Sequence, residues 1–353
     1  MMADDAELVL RAAQRLRQAW QHEVTVGDVL VAMSYRCAFV TARPDGTPVV
    51  VKADTRPGHT AAERRITVAA RAAGVPVPAV VPAGDTGPGQ DPPLLVLDYV
   101  PGRPLSADAP GSAWAEAGRV LRRLHDMRDP GGLKPWPERQ ADTGPGSGLP
   151  LRSALAGHAA REAAGTVKRG LLSSEQAARL GRLLGEAFSH PEARSAADPR
   201  HHRVLHGDCQ PDHFLLADSG NGLAAAGTAR EAAVAPGGWP EPEAAGTWPS
   251  SGPAAGWPYA AAPVPVPGIA AMLDLGDACT GDPVWDLAVL TLDHPGRLDE
   301  VMAGYAPPDE LTRRVDALAE PYRMLRWLGE ASWLHDHGFD PGPSIAPLRA
   351  VAG

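Results

Sequence analysis

Two polar segments, each next to an apolar stretch, contain the residues whose types and spacing could perform chemistry. The first runs from His206 to His213 and includes Asp208. The second contains Asp274, directly after the apolar residues that end at Leu273. Buried polar groups cost free energy unless they are paired, so a polar loop between apolar stretches tends to have a chemical task.

One reaction needs both carboxylates. Phosphoryl transfer requires one carboxylate that orients the attacking hydroxyl and accepts its proton, a second that holds a metal ion, and a cation against the phosphates. Asp208 suits the first role and Asp274 the second. Lys52 suits the third, and it is one of only three lysines in the chain. Glu63, on the helix that follows, is expected to hold Lys52 by an ion pair.

The elements that must position these residues fall into two groups. The first hundred residues are predicted to contain an antiparallel meander, because β-branched stretches alternate with short turns such as Asp45-Gly46. The predicted strands cover residues 24–33, with a possible break at Gly27-Asp28, 37–42, 48–53 and 94–100. Helical periodicity and stop signals predict helices over residues 5–20 and 61–73.

Beyond residue 100, strand-like sequence nearly vanishes and helices are predicted over 113–127, 151–169 and 174–189. The fold class is therefore α+β with two lobes. Residues 1–100 form the predicted nucleotide-binding lobe and residues 101–353 the catalytic and substrate lobe. A segment rich in Ala, Gly and Pro, at about 217–268, is predicted to be a low-complexity insertion between strand-like stretches.

Both polar segments resemble the signature loops of the aminoglycoside phosphotransferase family. The first matches as His206-Gly207-Asp208 followed by His213, and the second as the run 273–277. The order of lysine strand, glutamate helix, hinge strand and the two loops also matches, from about residue 24 to about 340 apart from the insertion. The resemblance implies a protein-kinase-like fold, ATP and Mg²⁺ as cofactors, and phosphorylation of a small hydroxylated molecule such as an aminoglycoside or a macrolide.

By that resemblance, Asp208 is the catalytic base and Asp274 the main magnesium ligand. Lys52 contacts the nucleotide phosphates and Glu63 pairs with it. The family also implies a hinge near residues 97–100 that binds adenine through its backbone, for which we single out Asp98 and Val100.

His213 departs from the family pattern. The family usually places asparagine there as a second metal ligand, and imidazole is a poorer magnesium ligand than an amide oxygen. Macrolide kinases resemble this chain in having histidine there, so His213 stays a candidate ligand. The segment 34–37, where the family's nucleotide loop falls, also lacks glycine. Asp282 and Asp286 look like the family's structural acids, expected to brace loops.

Three alternatives remain open. The acceptor could be a metabolite, such as a sugar, an amino alcohol or a biosynthetic intermediate, instead of an antibiotic. The protein could bind nucleotide and regulate a partner without catalysis, a reading prompted by His213 and the missing glycines. A metal hydrolase using His201 and His202 fits poorly, because their spacing is wrong and it leaves Lys52 and Asp274 unexplained.

Composition excludes several other classes. The net charge of −9 argues against a nucleic-acid partner, since neutralising phosphates needs a basic surface. Three widely spaced cysteines indicate neither a disulfide framework nor a zinc site. No signal peptide or run of about 18 apolar residues appears, so we expect a cytoplasmic protein without a membrane partner. The oligomeric state is left open.

Overall fold

The computed structural model of the chain describes residues 3–83, 91–136, 151–217 and 268–353. Nine strands and ten α-helices lie within these ranges. The strands are β1 (Val29–Ala32), β2 (Arg36–Ala42), β3 (Pro48–Asp54), β4 (Leu94–Asp98), β5 (Arg103–Pro104), β6 (Arg203–Leu205), β7 (Phe214–Leu216), β8 (Ile269–Met272) and β9 (Cys279–Gly281). The helices are α1 (Ala3–Trp20), α2 (His59–Ala72), α3 (Gly111–Asp126), α4 (Leu151–Lys168), α5 (Ser174–Ala187), α6 (Pro191–Ala196), α7 (Val284–Leu290), α8 (Leu298–Tyr305), α9 (Asp309–Asp336) and α10 (Gly342–Ala352).

The N-terminal part is a four-stranded antiparallel sheet in the order β1-β2-β3-β4, in which the three strands of the predicted meander are joined by β4 along β3. Strand β3 lies between β2 and β4, and its residues alternate between buried and partly buried. Val49 and Val51 therefore pack on one face of the sheet, with α1 contributing Leu16 and other apolar residues to the same core. Lys52 lies on the opposite face, where α2 also packs.

The first predicted strand, over residues 24–33, is regular only after the break allowed at Gly27-Asp28. Strand β1 begins only at Val29, and its register with β2 shifts between Val29 and Val31. Gly27 still donates to the Val40 carbonyl at 2.8 Å, and Val40 donates to the Asp28 carbonyl at 2.8 Å. The β-branched stretch thus stays beside β2, but the shifted register interrupts its regular pairing.

The C-terminal part is mostly helical and has its own core. Its largest buried side chains include Trp114, Trp136, Trp285 and Tyr322, which α3, α7 and α9 help to supply. Tight helix packing explains one glycine: a Cβ on Gly304 of α8 would lie 1.7 Å from the Ala115 carbonyl oxygen of α3.

The expectation that strands nearly vanish after residue 100 needs correction, because β5 to β9 lie there. They have only two to four residues each, too short to show a two-residue period. Strands β7 and β8 pair, and beyond them the Ala217 N–H donates to the Gly268 carbonyl at 2.9 Å. The predicted insertion at about 217–268 falls between these two residues and lies outside the described residues.

The predicted lobe boundary at residue 100 falls just after β4. Helix α2 lies before this boundary, yet its Ile66 and Ala70 belong to the larger C-terminal core. The division into residues 1–100 and 101–353 therefore stays a prediction. Among the described residues, no helix is both long and apolar enough to cross a bilayer.

Candidate active site

An ion-paired triad joins the sheet, α2 and the second polar loop. The Lys52 Nζ lies 2.5 Å from Glu63 Oε1 and 2.7 Å from Asp274 Oδ1. The predicted pairing of Lys52 with Glu63 is confirmed. Burial disfavours the ammonium, but the charges of Asp274 and Glu63 outweigh it and raise the pKa of Lys52.

Local backbone geometry places the triad. Lys52 stands opposite Ala38 and Leu95 in the middle of the sheet. Asp274 adopts a left-handed backbone (φ 55°), which turns the chain sharply after β8. A Cβ at Gly276 would lie 3.3 Å from Glu63 Oε2, so glycine there lets α2 approach this loop closely.

The two polar loops are joined at Leu273, directly before Asp274. The Leu273 N–H donates to the His213 carbonyl at 2.7 Å. The Leu273 carbonyl accepts from His206 Nε2, also at 2.7 Å. The His206 side chain therefore braces the two loops against each other.

Asp208 faces a cation that the sequence did not single out. Its Oδ1 lies 2.8 Å from Arg326 Nη2 and accepts a hydrogen bond from Gln210 Nε2 at 3.0 Å. Burial would raise the pKa of Asp208, but the charges of Arg326 and His213 and the hydrogen bond from Gln210 together outweigh it, so the pKa lies below its usual value. Arg326 is one of thirty arginines and stands far from Asp208 in sequence, which explains why no motif revealed it.

His213 lies next to both acids. Its Nδ1 donates to the Asp208 carbonyl at 2.7 Å, and its ring stacks on His206 with centroids 5.3 Å apart. Burial lowers the pKa of His213, but the charges of Asp208 and Asp274 outweigh this and raise it. Because Nδ1 carries a proton toward a carbonyl, only Nε2 remains for a ligand, and the role of His213 at a metal stays a prediction.

Asp286 braces the loop that carries Asp208. Its Oδ2 accepts the His206 N–H at 2.6 Å and the His125 Nε2–H at 3.0 Å, while Oδ1 accepts the Gly207 N–H at 3.0 Å. Asp286 is completely buried. Its carboxylate therefore fixes the two backbone groups that directly precede Asp208.

Asp282 serves the scaffold in the same way. It lies 3.3 Å from Arg314 Nη1 and accepts from Tyr322 Oη at 3.1 Å. Burial raises its pKa despite the charge of Arg314. Both acids thus brace buried structure, as expected from the sequence.

The predicted hinge lies at the end of β4. Asp98 stands opposite Val49 in the sheet, and its N–H donates to the Ala79 carbonyl at 2.9 Å. Val100 follows two residues later. In an extended chain, the carbonyl of one residue and the N–H of the residue two positions on point to the same side, a spacing suited to the edge of a planar base.

Asp274 has the chemistry of a magnesium ligand. Magnesium in nucleotide enzymes is bound by one or two carboxylates together with phosphate oxygens. Among the described residues, no group of three or more His, Cys, Asp or Glu side chains is arranged to hold a metal by itself. Asp274 therefore fits a metal that the nucleotide helps to bind, while the nitrogen of His213 suits magnesium less well.

Several predicted or neighbouring residues have other places. His201 Nε2 lies 3.2 Å from Glu310, and His202 Nε2 bonds the Ala196 carbonyl at 3.2 Å, so these histidines face different partners from His206. Burial raises the pKa of Asp274, but the charge of Lys52 outweighs it, with smaller contributions from His213 and Arg36, so the pKa lies well below its usual value.

The sequence model of the phosphotransferase enzyme family (APH) matches residues 36–225, more than half of the chain. The match includes Lys52, Glu63 and Asp208, and ends within the predicted insertion. No protein of curated function matches the sequence.

Solved structures show the fold. The macrolide 2′-phosphotransferase MphH from Brachybacterium faecium is 15% identical, with a TM-score of 0.54 over 98% of both chains. Aminoglycoside phosphotransferase APH(4)-Ia is 14% identical, with a TM-score of 0.58 over 98% of both chains. Aminoglycoside 2′-phosphotransferase-IIIa, solved with GDP, is 15% identical, with a TM-score of 0.56 over 97% of this chain and 96% of the other. The predicted fold class, a kinase-like α+β fold with a small sheet lobe and a larger helical lobe, is confirmed.

Proposed function

The chain belongs to the phosphotransferase enzyme family, and we propose that it transfers the γ-phosphate of ATP to a hydroxyl group of a small molecule. The predicted family is confirmed, and with it the prediction of an enzyme of the small-molecule kinase class. The observation that carries the proposal is the ion-paired triad of Lys52, Glu63 and Asp274, in which Glu63 is buried and the other two side chains are partly exposed. It joins three elements at the position where phosphates would need a cation and a metal carboxylate.

Asp208 is the proposed catalytic base. Its depressed pKa keeps the carboxylate ionised, so that it can orient an acceptor hydroxyl and take its proton as the oxygen attacks phosphorus. The loop contacts at Leu273 support this role, because they join the segment of Asp208 to that of Asp274.

The nucleotide is proposed to lie between the sheet and the two loops. Lys52 contacts its phosphates, Glu63 orients Lys52, and Asp98 and Val100 bind adenine through a carbonyl and an N–H. Asp274, with His213 as a second candidate, would hold Mg²⁺, which when bound neutralises charge on the phosphate oxygens. ATP, the proposed phosphate donor, is a cytoplasmic metabolite, so a cytoplasmic location is part of the same proposal.

Antibiotics are the first acceptors to test, because structures similar in fold are named as macrolide and aminoglycoside phosphotransferases. Sugars and amino alcohols form the second half of the panel. Product formation with one half separates an antibiotic kinase from a metabolic one.

The experiment compares the unaltered protein with Asp208→Asn. ADP release and mass spectrometry of the acceptor report transfer, and calorimetry with ATP and Mg²⁺ reports nucleotide binding. We expect Asp208→Asn to bind ATP normally and to lose activity by at least about a thousandfold, as for other acid–base residues aided by positioning. Asp316→Asn changes an exposed acid of α9 and serves as the matched control.

Two results would overturn the proposal. Unchanged turnover in Asp208→Asn would show that Asp208 is not the catalytic base. ATP binding without a phosphorylated product from any acceptor favours a regulatory nucleotide-binding protein.

A further inference from the structure

One oxygen of Asp208 is engaged from two directions. Arg326 Nη2 of α9 lies 2.8 Å from Oδ1, and Gln210 Nε2 of the same loop donates to Oδ1 at 3.0 Å. The χ2 torsion of aspartate is broad and twofold, so a carboxylate without such contacts would exchange its oxygens freely. With Oδ1 engaged by a cation and an amide, Oδ2 is the oxygen left to accept a proton.

The position of Arg326 is fixed by the core. One turn earlier on α9, Tyr322 donates to Asp282 at 3.1 Å and Arg323 donates to Thr291 Oγ1 at 2.7 Å, both in buried surroundings. The Arg326 side chain is itself only 17% exposed. A guanidinium anchored in this way fixes the direction from which it approaches Asp208.

A second acid completes the arrangement. Glu330, one turn later on the same face of α9, lies 3.9 Å from Arg326 Nη2. Glu330 in turn accepts from Ser344 Oγ at 3.2 Å. The guanidinium therefore lies between two carboxylates, which limits its movement away from Asp208.

We propose that Arg326 is a positioning residue for phosphoryl transfer, which holds Asp208 Oδ1 so that Oδ2 faces the acceptor hydroxyl. This inference rests on the proposed function. Arg326 touches neither nucleotide nor acceptor in this role; it acts through the orientation of Asp208. Its loss therefore affects the chemical step and leaves substrate binding unchanged.

The test is the kinetics of Arg326→Ala with the acceptor found for the unaltered protein. We expect kcat to fall about a hundredfold, the usual effect of a misplaced catalytic group, while KM for ATP and for the acceptor changes less than about twofold. Guanidinium chloride at tens of millimolar should raise the kcat of Arg326→Ala at least about fivefold, since the guanidinium ion can occupy the place of the missing side chain. Arg326→Lys should retain an intermediate kcat.

Arg313→Ala is the matched control. Arg313 lies on the same helix in a more exposed ion pair with Glu192, 3.5 Å away. We expect this variant to keep the kcat of the unaltered protein and to show no gain from guanidinium.

The outcomes separate the two proposals. If the unaltered protein turns over and Asp208→Asn does not, but Arg326→Ala keeps full kcat, the inference on Arg326 fails and the proposed function stands. A raised KM for the acceptor, or a loss that neither guanidinium nor lysine relieves, also overturns the positioning role. Absence of turnover in the unaltered protein overturns the proposed function and this inference with it.

Discussion

The carboxylate of Asp286 offers the most direct test of how the catalytic loop is held. It accepts the backbone N–H groups of His206 and Gly207 and the Nε2–H of His125. Asp286→Ala removes the acceptor for all three donors in a completely buried place. Each buried donor without a partner costs about 1–3 kcal/mol, so the two backbone groups alone predict a loss of about 2–6 kcal/mol in the free energy of unfolding.

Asp286→Asn provides a graded comparison. Its amide oxygen can replace Oδ2 for His206 and His125, but its NH₂ group then faces the Gly207 N–H. In Asp286→Asn two N–H donors face each other, whereas in Asp286→Ala three donors lack an acceptor. We therefore expect a loss of about 1–3 kcal/mol, smaller than that of the alanine variant.

Urea unfolding followed by tryptophan fluorescence measures both losses, with Asp316→Ala as an exposed control. In folded variants kcat should fall more than ATP affinity, because the loop carries Asp208 whereas Lys52 lies on the sheet. A loss below about 1 kcal/mol for Asp286→Ala would refute the brace. Equal losses in the free energy of unfolding for the two variants would show that the number of donors without partners does not determine the destabilisation.

Two further predictions concern backbone strain and pH. Gly207 has φ +87°, and a Cβ there would lie 2.1 Å from the Asp277 carbonyl oxygen. Gly207→Ala should therefore lose about 1–2 kcal/mol from strain and roughly 1–3 kcal/mol more from the clash, whereas Gly46→Ala, with φ +84° and open space, should show the strain alone; equal urea midpoints would contradict this. Burial, then the charge of Arg161, lowers the pKa of His158 from 6.5 to about 4, so the unfolded chain binds a proton that the folded chain does not, and stability falls with falling pH. Between pH 8 and pH 4.5 this contributes a loss of about 2–3 kcal/mol, which His158→Gln should remove from the measured pH dependence; identical pH dependence in the two proteins would count against it.

Much of the site was predictable because local rules place it. The pair of Lys52 and Glu63 follows from a strand, a short connection and a helix, each with its own sequence signal. Asp208 and Asp274 were found because polar residues end apolar stretches. The contacts of Asp282 and Asp286 agree with the bracing roles that the family resemblance implies.

What the sequence did not reveal depends on long-range packing. Arg326 reaches Asp208 through the packing of α9 in the C-terminal core, and no spacing in the chain encodes that approach. The register shift inside β1, between Val29 and Val31, depends on its pairing with β2. The short strands β5 to β9 exist through their partners, since segments of two to four residues have little strand preference of their own.

The hydrogen bond from the Ala217 N–H to the Gly268 carbonyl brings together two residues that are far apart in the sequence. Strand β7 begins directly after His213, and β8 ends two residues before Asp274. Because these strands pair, chain added between Ala217 and Gly268 lengthens the sequence path between the two loops but leaves their separation unchanged. The family model matches only as far as residue 225, so the match does not include the second polar loop, which contains Asp274. The fold keeps that loop beside the first, and segments of different length could be exchanged at this point without moving either carboxylate.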